Sequence, residues 1–441
     1  MAIGGVFMTD VDGNIGTGVV NRSENICGLI FDISAQTRFF ESGKGAEVAA
    51  TFKNTVVKFG NLQEAIDAGI EEYTELTDET AVNYLLNGIP YYHIKHFFDR
   101  VGGAGTLYVA FADCSSNWNA LIDMQKAANG QIGQFGIWTE QSLWSQLTED
   151  EGPYQLKLVN DINAVAVIMA NNYNAPASVI LTANSAKIKT SDSTVDTVSL
   201  NRIPTVIGKN RYVSVLLSQS RDNNVAVMQR VLVSKTPVGC VGAILGSLAI
   251  SNVSECVGWV AKHDLAGLIQ DIELGFGNVG VSNQALTLTT SYDSLSDSQI
   301  NDLDNKGYIF LVKYTGLDGH IYFSGDQTCS DGDYRTIARN RAINKSRRLV
   351  RRALLPYVNS PIKVDPATGT LSPAQVTIFT NEVQDVLKAM VDASELSSIG
   401  IIEIPANQNI LKNDSLKLKY SVIPIGTSKT ILVEEGMAIK Q

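Results

Sequence analysis

Thr106-Leu-Tyr-Val-Ala-Phe-Ala112 is an uncharged run of apolar and β-favouring residues, the pattern of a strand buried on both faces. Trp118 to Ala128 follows, with Leu121, Ile122 and Met124 turned to one side of a helix. A second short strand, Phe135 to Trp138, and a second helix, Tyr154 to Ala170, come next. Ala177 to Thr182 and Val213 to Leu217 continue the strands. Alternation of this kind predicts a layered α/β sheet with helices over its faces. Within it, Lys187 to Thr205 is rich in Ser, Thr, Asn and Asp and reads as a surface excursion.

Toward the N-terminus the pattern thins. The first 25 residues are Gly-rich and polar, with isolated hydrophobes at Ile3, Val6, Phe7 and Met8. They carry too little apolar surface to fold alone and read as an extended arm. A small α/β region follows, with helices over Asn61 to Gly69 and Thr77 to Leu86; Asp78 and Glu79 stand near a helix start, where the dipole favours them.

Toward the C-terminus, Tyr308 to Tyr314 and His320 to Phe323 form a hairpin joined through Thr315-Gly-Leu-Asp-Gly319, whose Asp-Gly supplies the positive φ of a tight turn. A long basic helix spans Asp333 to Leu355 and ends at Pro356. Ser372-Pro373 opens another as N-cap and first helical residue. Its residues Val376, Phe379, Val383, Val386, Leu387 and Met390 share one face. Strands over Gly400 to Ile404, Leu416 to Ile423 and Thr430 to Val433 close the chain. In the middle one Leu416, Leu418, Tyr420 and Val422 alternate with Lys417, Lys419 and Ser421, so one face is buried and the other wet, as an antiparallel or edge strand requires. The expected organisation is an arm over 1–25, a small α/β region over 26–100, α/β middle domains over 101–305 with the excursion near 185–205, a C-terminal α/β domain over 306–430, and a second arm over 431–441.

With 441 residues the chain exceeds one ordinary core, and two to four domains are expected. Charged residues are 18% and hydrophobic residues 44%, a balance that suggests a surface covered by neighbours. The net charge of -10 argues against general nucleic-acid binding, which needs a basic face to displace counterions. Five cysteines at irregular spacings (Cys27, Cys114, Cys240, Cys256, Cys329) read as buried reduced thiols of a chain made in a reducing cytoplasm. The start MAIGGVFMTDVDG lacks the cationic and continuous apolar stretches of a signal peptide. No run reaches the roughly 18–20 apolar residues of a membrane helix, so no membrane insertion is expected; Val238 to Ile250 comes nearest.

No motif reaches the grade of a catalytic, cofactor or metal site. Gly275-Phe-Gly277-Asn-Val-Gly280 has the letters of a dinucleotide fingerprint, which needs a strand before it and a helix after it. Here Asp264 to Glu273 reads as helix and Gln284 to Thr290 as strand, so a plain loop is expected. His93 and His96 lack a third ligand at metal spacing and read as partly buried histidines of an aromatic zone. Asp10-Val-Asp12-Gly-Asn14 lacks the later glycine and glutamate of a calcium loop. There is no Gly-x-Ser-x-Gly elbow and no phosphate loop. Cys114 and Cys329 lie near Asp and not His, which blunts a thiol.

One charge feature stands out. The helix Asp333 to Leu355 holds seven arginines and one lysine against the single acid Asp333. Arg341, Lys345, Arg348 and Arg352 fall on one side, Ile343, Val350 and Leu354 on the other. A solvated helix face is the plain reading; the excess of arginine, whose fork binds carboxylates bidentately, favours a contact surface.

The hairpin, then Tyr334-Arg-Thr-Ile-Ala-Arg-Asn-Arg-Ala-Ile-Asn-Lys-Ser-Arg-Arg348, the amphipathic helix and the closing Lys417-Leu-Lys-Tyr-Ser-Val-Ile-Pro-Ile425 resemble the C-terminal domain of contractile tail sheath proteins of phages and phage-tail-like injection systems. The glycine-rich arm and α/β middle suit that family, and about the last 110 residues carry the specific likeness. The resemblance implies a multi-domain α/β (α+β) sheath-like subunit without cofactors, assembled in the bacterial cytoplasm into a virion tail or injection particle. Its partners would be copies of itself, an inner tail tube protein, and baseplate and terminator or cap proteins. It implies exchanged arms and strand addition between subunits, with Ile3, Val6, Met8, Leu416, Leu418, Tyr420, Val422, Ile431 and Val433 as the arm and edge residues. It also sets the Arg341, Lys345, Arg348 and Arg352 face against the tube. The alternatives are another particle component, such as a tube or baseplate protein, and an intracellular α/β enzyme.

Overall fold

A computed structural model describes residues 23–34, 52, 54–70, 84–139, 141, 143, 156–182, 187–189, 195–197, 203–220, 238–269, 272–274, 290–405, 407–413 and 415–436. Seven strands form its main sheet: β1 (Ile26–Asp32), β2 (Val56–Asn61), β3 (Ala104–Ala112), β4 (Gln134–Trp138), β5 (Ser178–Thr182), β6 (Val213–Leu216) and β7 (Tyr308–Ile309). Their order is β7-β6-β5-β4-β1-β3-β2. Only β2 runs antiparallel to its neighbour, so the sheet is of the doubly covered α/β kind.

No strand was expected at β1 or β2, and Tyr308–Ile309 was expected in a different pairing. Every residue of β1 is buried and it lies between β3 and β4. The expected hairpin at 308–323 divides: Tyr308–Ile309 completes the main sheet beside β6, while Leu311–Val312 pairs antiparallel with Tyr322–Phe323. The sheet therefore takes strands from the 26–100, 101–305 and 306–430 segments alike.

Among the described residues the helices of six residues or more are α1 (Leu62–Asp67), α2 (Tyr84–Arg100), α3 (Ala120–Ala127), α4 (Lys157–Asn172), α5 (Val241–Ile250), α6 (Asp297–Asn305), α7 (Ile337–Leu354) and α8 (Pro373–Asp392). A Cβ on Gly28 of β1 would strike Met124 of α3; one on Gly136 of β4 would strike Val241 and Leu245 of α5. Gly28 and Gly136 belong to successive register pairs of β1 and β4 and face opposite ways. Helix α3, with α4 against it, thus covers one face, and α5, with α2 against it, covers the other.

Helix α5 is the segment nearest in composition to a membrane span, and residues 241–249 are all buried. No helix among the described residues is long and apolar enough to cross a membrane. Its glycines let it lie almost backbone to backbone on α2. A Cβ at Gly242 would sit 2.0 Å from the His93 carbonyl oxygen, and one at Gly246 2.6 Å from Arg100 Cβ. His93 is fully buried in this crossing, with its ring near Phe31 and Tyr92, and Tyr92 also lies against His96.

The C-terminal part packs α7 and α8 against a hairpin of β8 (Leu396–Glu403) and β9 (Lys419–Pro424). On α8, Phe379, Val383, Leu387 and Met390 are buried, with Val376 and Val386 half-buried beside them. Leu416, Leu418, Tyr420 and Val422 alternate with exposed residues and turn toward these helices. The strand expected at Thr430 to Val433 is absent: residues 425–436 carry no regular structure, and Ile431, Leu432 and Val433 are 80%, 90% and 81% exposed. The expected helix over Asp264 to Glu273 is a series of turns leading to a strand, Ile272–Leu274. That strand pairs with Ser218–Ser220 and Thr290–Ser291. The 187–205 excursion holds a small pair, Lys187–Lys189 with Val195–Thr197. The Gly275–Gly280 run, the Asp10–Asn14 motif and most of the expected helix at 77–86 lie outside the described residues.

The α2–α5 crossing gives a direct test. Gly242→Ala drives a methyl into the backbone of α2 and should destabilise by about 1–3 kcal/mol, as overpacking does, read as a lower midpoint in chemical unfolding.

Candidate functional site: the basic helix and the C-terminal hairpin

Helix α7 starts where Thr336, in extended conformation, accepts a hydrogen bond from the Arg339 amide at 3.2 Å. The expectation of one exposed cationic face on this helix is corrected by what lies around it. Arg341 is 1% exposed. It donates to the carbonyl oxygens of Leu248 at 2.9 Å, Ser251 at 3.2 Å and Asn252 at 3.2 Å. Leu248 lies in the last turn of α5, and Ser251 and Asn252 follow it. The Leu248 carbonyl also accepts from the Ser251 amide at 3.3 Å, and a cation there meets the negative end of the helix dipole. Burial lowers the Arg341 pKa, against the raising effect of Glu24.

Lys345 Nζ meets Glu395 Oε1 at 2.5 Å, just beyond the end of α8, where Glu395 is 1% exposed. Arg348 pairs with Glu24, in the turn that leads into β1, and donates to the Pro176 carbonyl, ahead of β5, at 2.5 Å. Burial alone would raise the Glu24 pKa; the adjoining Arg348 guanidinium, with Arg341 and Lys345 behind it, brings it below the ordinary value. Arg347 reaches Asn171 Oδ1 at 3.2 Å. Of the four residues expected to face outward, only Arg352 is exposed, with Arg351 beside it. The other three are spent inside the chain because their partners, Glu24, Glu395 and the end of α5, are themselves buried and need countercharge.

Val253 adds an apolar contact, packing into the α7–α8–β8 cluster with Ala342, Val350, Val383, Leu387, Met390 and Leu396. Ser254 Oγ donates to the Ser394 carbonyl at 3.0 Å. Helix α7 is thus the wedge between the main sheet region and the C-terminal hairpin. Sequence reasoning named the cations and missed their partners. Glu24 is 324 positions from Arg348 and Glu395 is 50 from Lys345, with no periodicity linking them.

The hairpin presents a second feature. Its inner face is packed, but Ile401 and Ile423 on the other side are 74% and 51% exposed. Among the described residues the sheet has only β8 and β9, so each strand keeps an outer edge without a strand partner. The apolar tail 431–433 continues from this hairpin. Ile3, Val6 and Met8 lie outside the described residues.

His93, His96 and Cys27 are buried, and Cys256 is half-buried. Burial pushes the His93 pKa well down and the His96 pKa to about 3, and pushes Cys27 and Cys256 up to about 12. No three His, Cys, Asp or Glu side chains cluster for a metal among the described residues.

Arg348→Glu sets a carboxylate against Glu24 and removes the compensation of a buried charge. It should cost about 3–5 kcal/mol of stability, while Arg352→Glu should cost under about 0.5 kcal/mol, both measured by denaturant unfolding. Because the folded Glu24 pKa is depressed, its contribution is complete above the ordinary carboxylate range and is lost as pH falls through the folded value. Glu24→Gln should therefore flatten the acid limb of the stability profile.

Comparison with known proteins follows the same division. The family domain described as DUF2586, N-terminal domain, matches residues 3–327, and DUF2586, C-terminal domain, matches residues 333–441; the boundary falls just before α7. No curated protein matches the chain by sequence. Among solved structures, the chain is similar to one in the cryo-EM structure of the anti-feeding prophage (AFP) baseplate, 6-fold symmetrised, with TM-score 0.56, 13% identity and 100% of both chains covered. It is similar to one in the AFP helical sheath in its contracted state, with TM-score 0.52, 12% identity and 99% of both chains covered. A third likeness is to the PVC sheath complex of an extracellular contractile injection system in the contracted state, with TM-score 0.55, 9% identity, and 100% of this chain and 98% of that one covered. At such identities the likeness is one of fold. Matched over nearly its whole length, the chain belongs to the DUF2586 family, on a fold shared end to end with chains of these contractile assemblies.

Proposed function

We propose that this chain is the structural subunit of a contractile tail sheath, which polymerises helically around an inner tube and contracts to drive it through a target envelope. The observation that carries the reading is the C-terminal hairpin: two strands with open edges, continuing into a tail whose Ile431, Leu432 and Val433 are 80–90% exposed. Apolar residues so exposed on a short tail have no use in an isolated chain and mark an interaction surface. Open strand edges accept a further strand by backbone hydrogen bonding. In this reading the tail, with Ile431 and Val433, and the N-terminal arm, with Ile3, Val6 and Met8, add strands to the β8–β9 edges of neighbouring subunits. Leu416, Leu418, Tyr420 and Val422 hold the receiving hairpin against its own helices. The full-length likeness in fold to chains of contracted sheaths supports it.

The same reading makes the chain a building block and not a catalyst, consistent with the Cys27 thiol and the His93 ring, which burial keeps uncharged. Its partners are copies of itself, an inner tube, and baseplate and cap components of the particle. The tube contact expected of the whole cationic face passes to the exposed end of α7, at Arg351 and Arg352. Exposed ionic contacts suit a grip that must release, since each is worth about 0.2–1 kcal/mol and a ring repeats it many times.

Electron microscopy of the purified protein should show long hollow cylinders. A chain ending at Gly426 should stay folded, with an unchanged circular dichroism spectrum, and form none. Normal cylinders from the truncated chain would refute strand exchange, and discrete particles or monomers from the full chain would refute the sheath reading.

A further inference from the structure

The two terminal segments are rooted differently. Glu24, at the root of the N-terminal one, is buried against Arg348. The C-terminal tail is held by Lys429, whose ammonium pairs with Asp304 at the end of α6, with side chains 51% and 27% exposed. The Lys429 site is a built recess. Gln327 Nε2 donates to the same Asp304 oxygen at 2.6 Å and steadies it. Lys429 Nζ lies 3.5 Å from where a Cβ on Gly325 would be, so the ammonium packs beside that backbone at contact distance. Burial raises the pKa of the neighbouring Asp326, whose carboxylate accepts from the Ala338 amide at 3.0 Å, and the Lys429 charge opposes that rise. Beyond Lys429, Ile431 to Val433 stand exposed. The tail is thus tied across to the main sheet region by one half-exposed charge, while its apolar run is left uncovered.

We propose that Lys429 and the Asp304 recess form a releasable latch, which parks the C-terminal tail on the chain's own body until a neighbouring subunit offers a strand edge to take it. The proposal rests on the sheath reading for the identity of the competitor, a second copy of this chain. A half-exposed pair shifts an equilibrium only about two- to fivefold. That is enough to delay encounters between free subunits and small beside the backbone hydrogen bonds of an added strand. The buried Glu24–Arg348 pair gives the opposite behaviour, a root that stays fixed while the other end swings.

The test uses the full chain at low salt and low concentration, with chymotrypsin cleavage at Leu432 followed by mass spectrometry. Lys429→Gln and Asp304→Asn should each raise the cleavage rate about two- to fivefold, and the difference should vanish near 1 M salt, where screening acts within about 3 Å. Exchanging the charges, Lys429→Glu with Asp304→Lys, should restore protection, which general loosening of α6 would not. Unchanged cleavage in Lys429→Gln overturns the latch. In assembly followed by light scattering, Lys429→Gln should shorten the lag before cylinders form, and an equal or longer lag overturns its gating role. Failure of the unaltered chain to form cylinders would count against the sheath reading, while the cleavage rates would still decide the latch.

Discussion

Helix α7 carries three cations out of water, and each is met by a partner from a different part of the chain: Arg341 by the end of α5, Lys345 by Glu395, and Arg348 by Glu24. A buried charge left alone costs several kcal/mol, so none of these groups tolerates separation of the parts that hold it. The hairpin, α8 and the main sheet are consequently fixed to one helix. Apolar contact at Val253 adds area, but the charges dictate register, because a guanidinium fork accepts few arrangements of oxygens.

The same economy explains how a chain with 18% charged residues divides its polar groups. Asp32, buried at the end of β1, accepts from Ser34, Cys114, Thr139 and Gln141, closing the carboxyl ends of the strands where open α/β sheets often bind ligands. His263 accepts at Nδ1 from Arg100, which leaves Nε2 to donate to Ser251, and Ser251 in turn reaches the Ser247 carbonyl. Polar side chains of this molecule are largely turned to joining its own elements. The surface that remains apolar lies chiefly in the C-terminal part, at Val358, Ile401, Leu411, Ile423 and the tail. The sheet region, by contrast, is held together by the close α2–α5 crossing.

Elements with local causes were readable. The strand at 106–112, the helix at 118–128, the Ser372-Pro373 helix start and the alternation through Leu416 to Val422 each follow from residues within one or two turns or strand repeats. The tight turn at 315–319 follows likewise, with Gly316 and Gly319 at positive φ. What failed were segments whose structure is imposed by neighbours. Asp264 to Glu273 has a helix-like composition, yet Ile272–Leu274 is drawn into a strand by pairing with Ser218–Ser220. Tyr308–Ile309 reads as one arm of a hairpin and is captured by the edge of β6.

The sequence by itself determined the α/β class, the alternating strand through Leu416 to Val422 and the cationic character of α7, since periodicity and residue type are local properties. Tertiary structure alone decided where those cations go. A one-dimensional pattern records that Arg341, Lys345 and Arg348 share a side of a helix, and it cannot record what packs there. Arg348 and Glu24 meet only because β1 runs down the middle of the sheet, and that position is set by long-range strand pairing with no local signature.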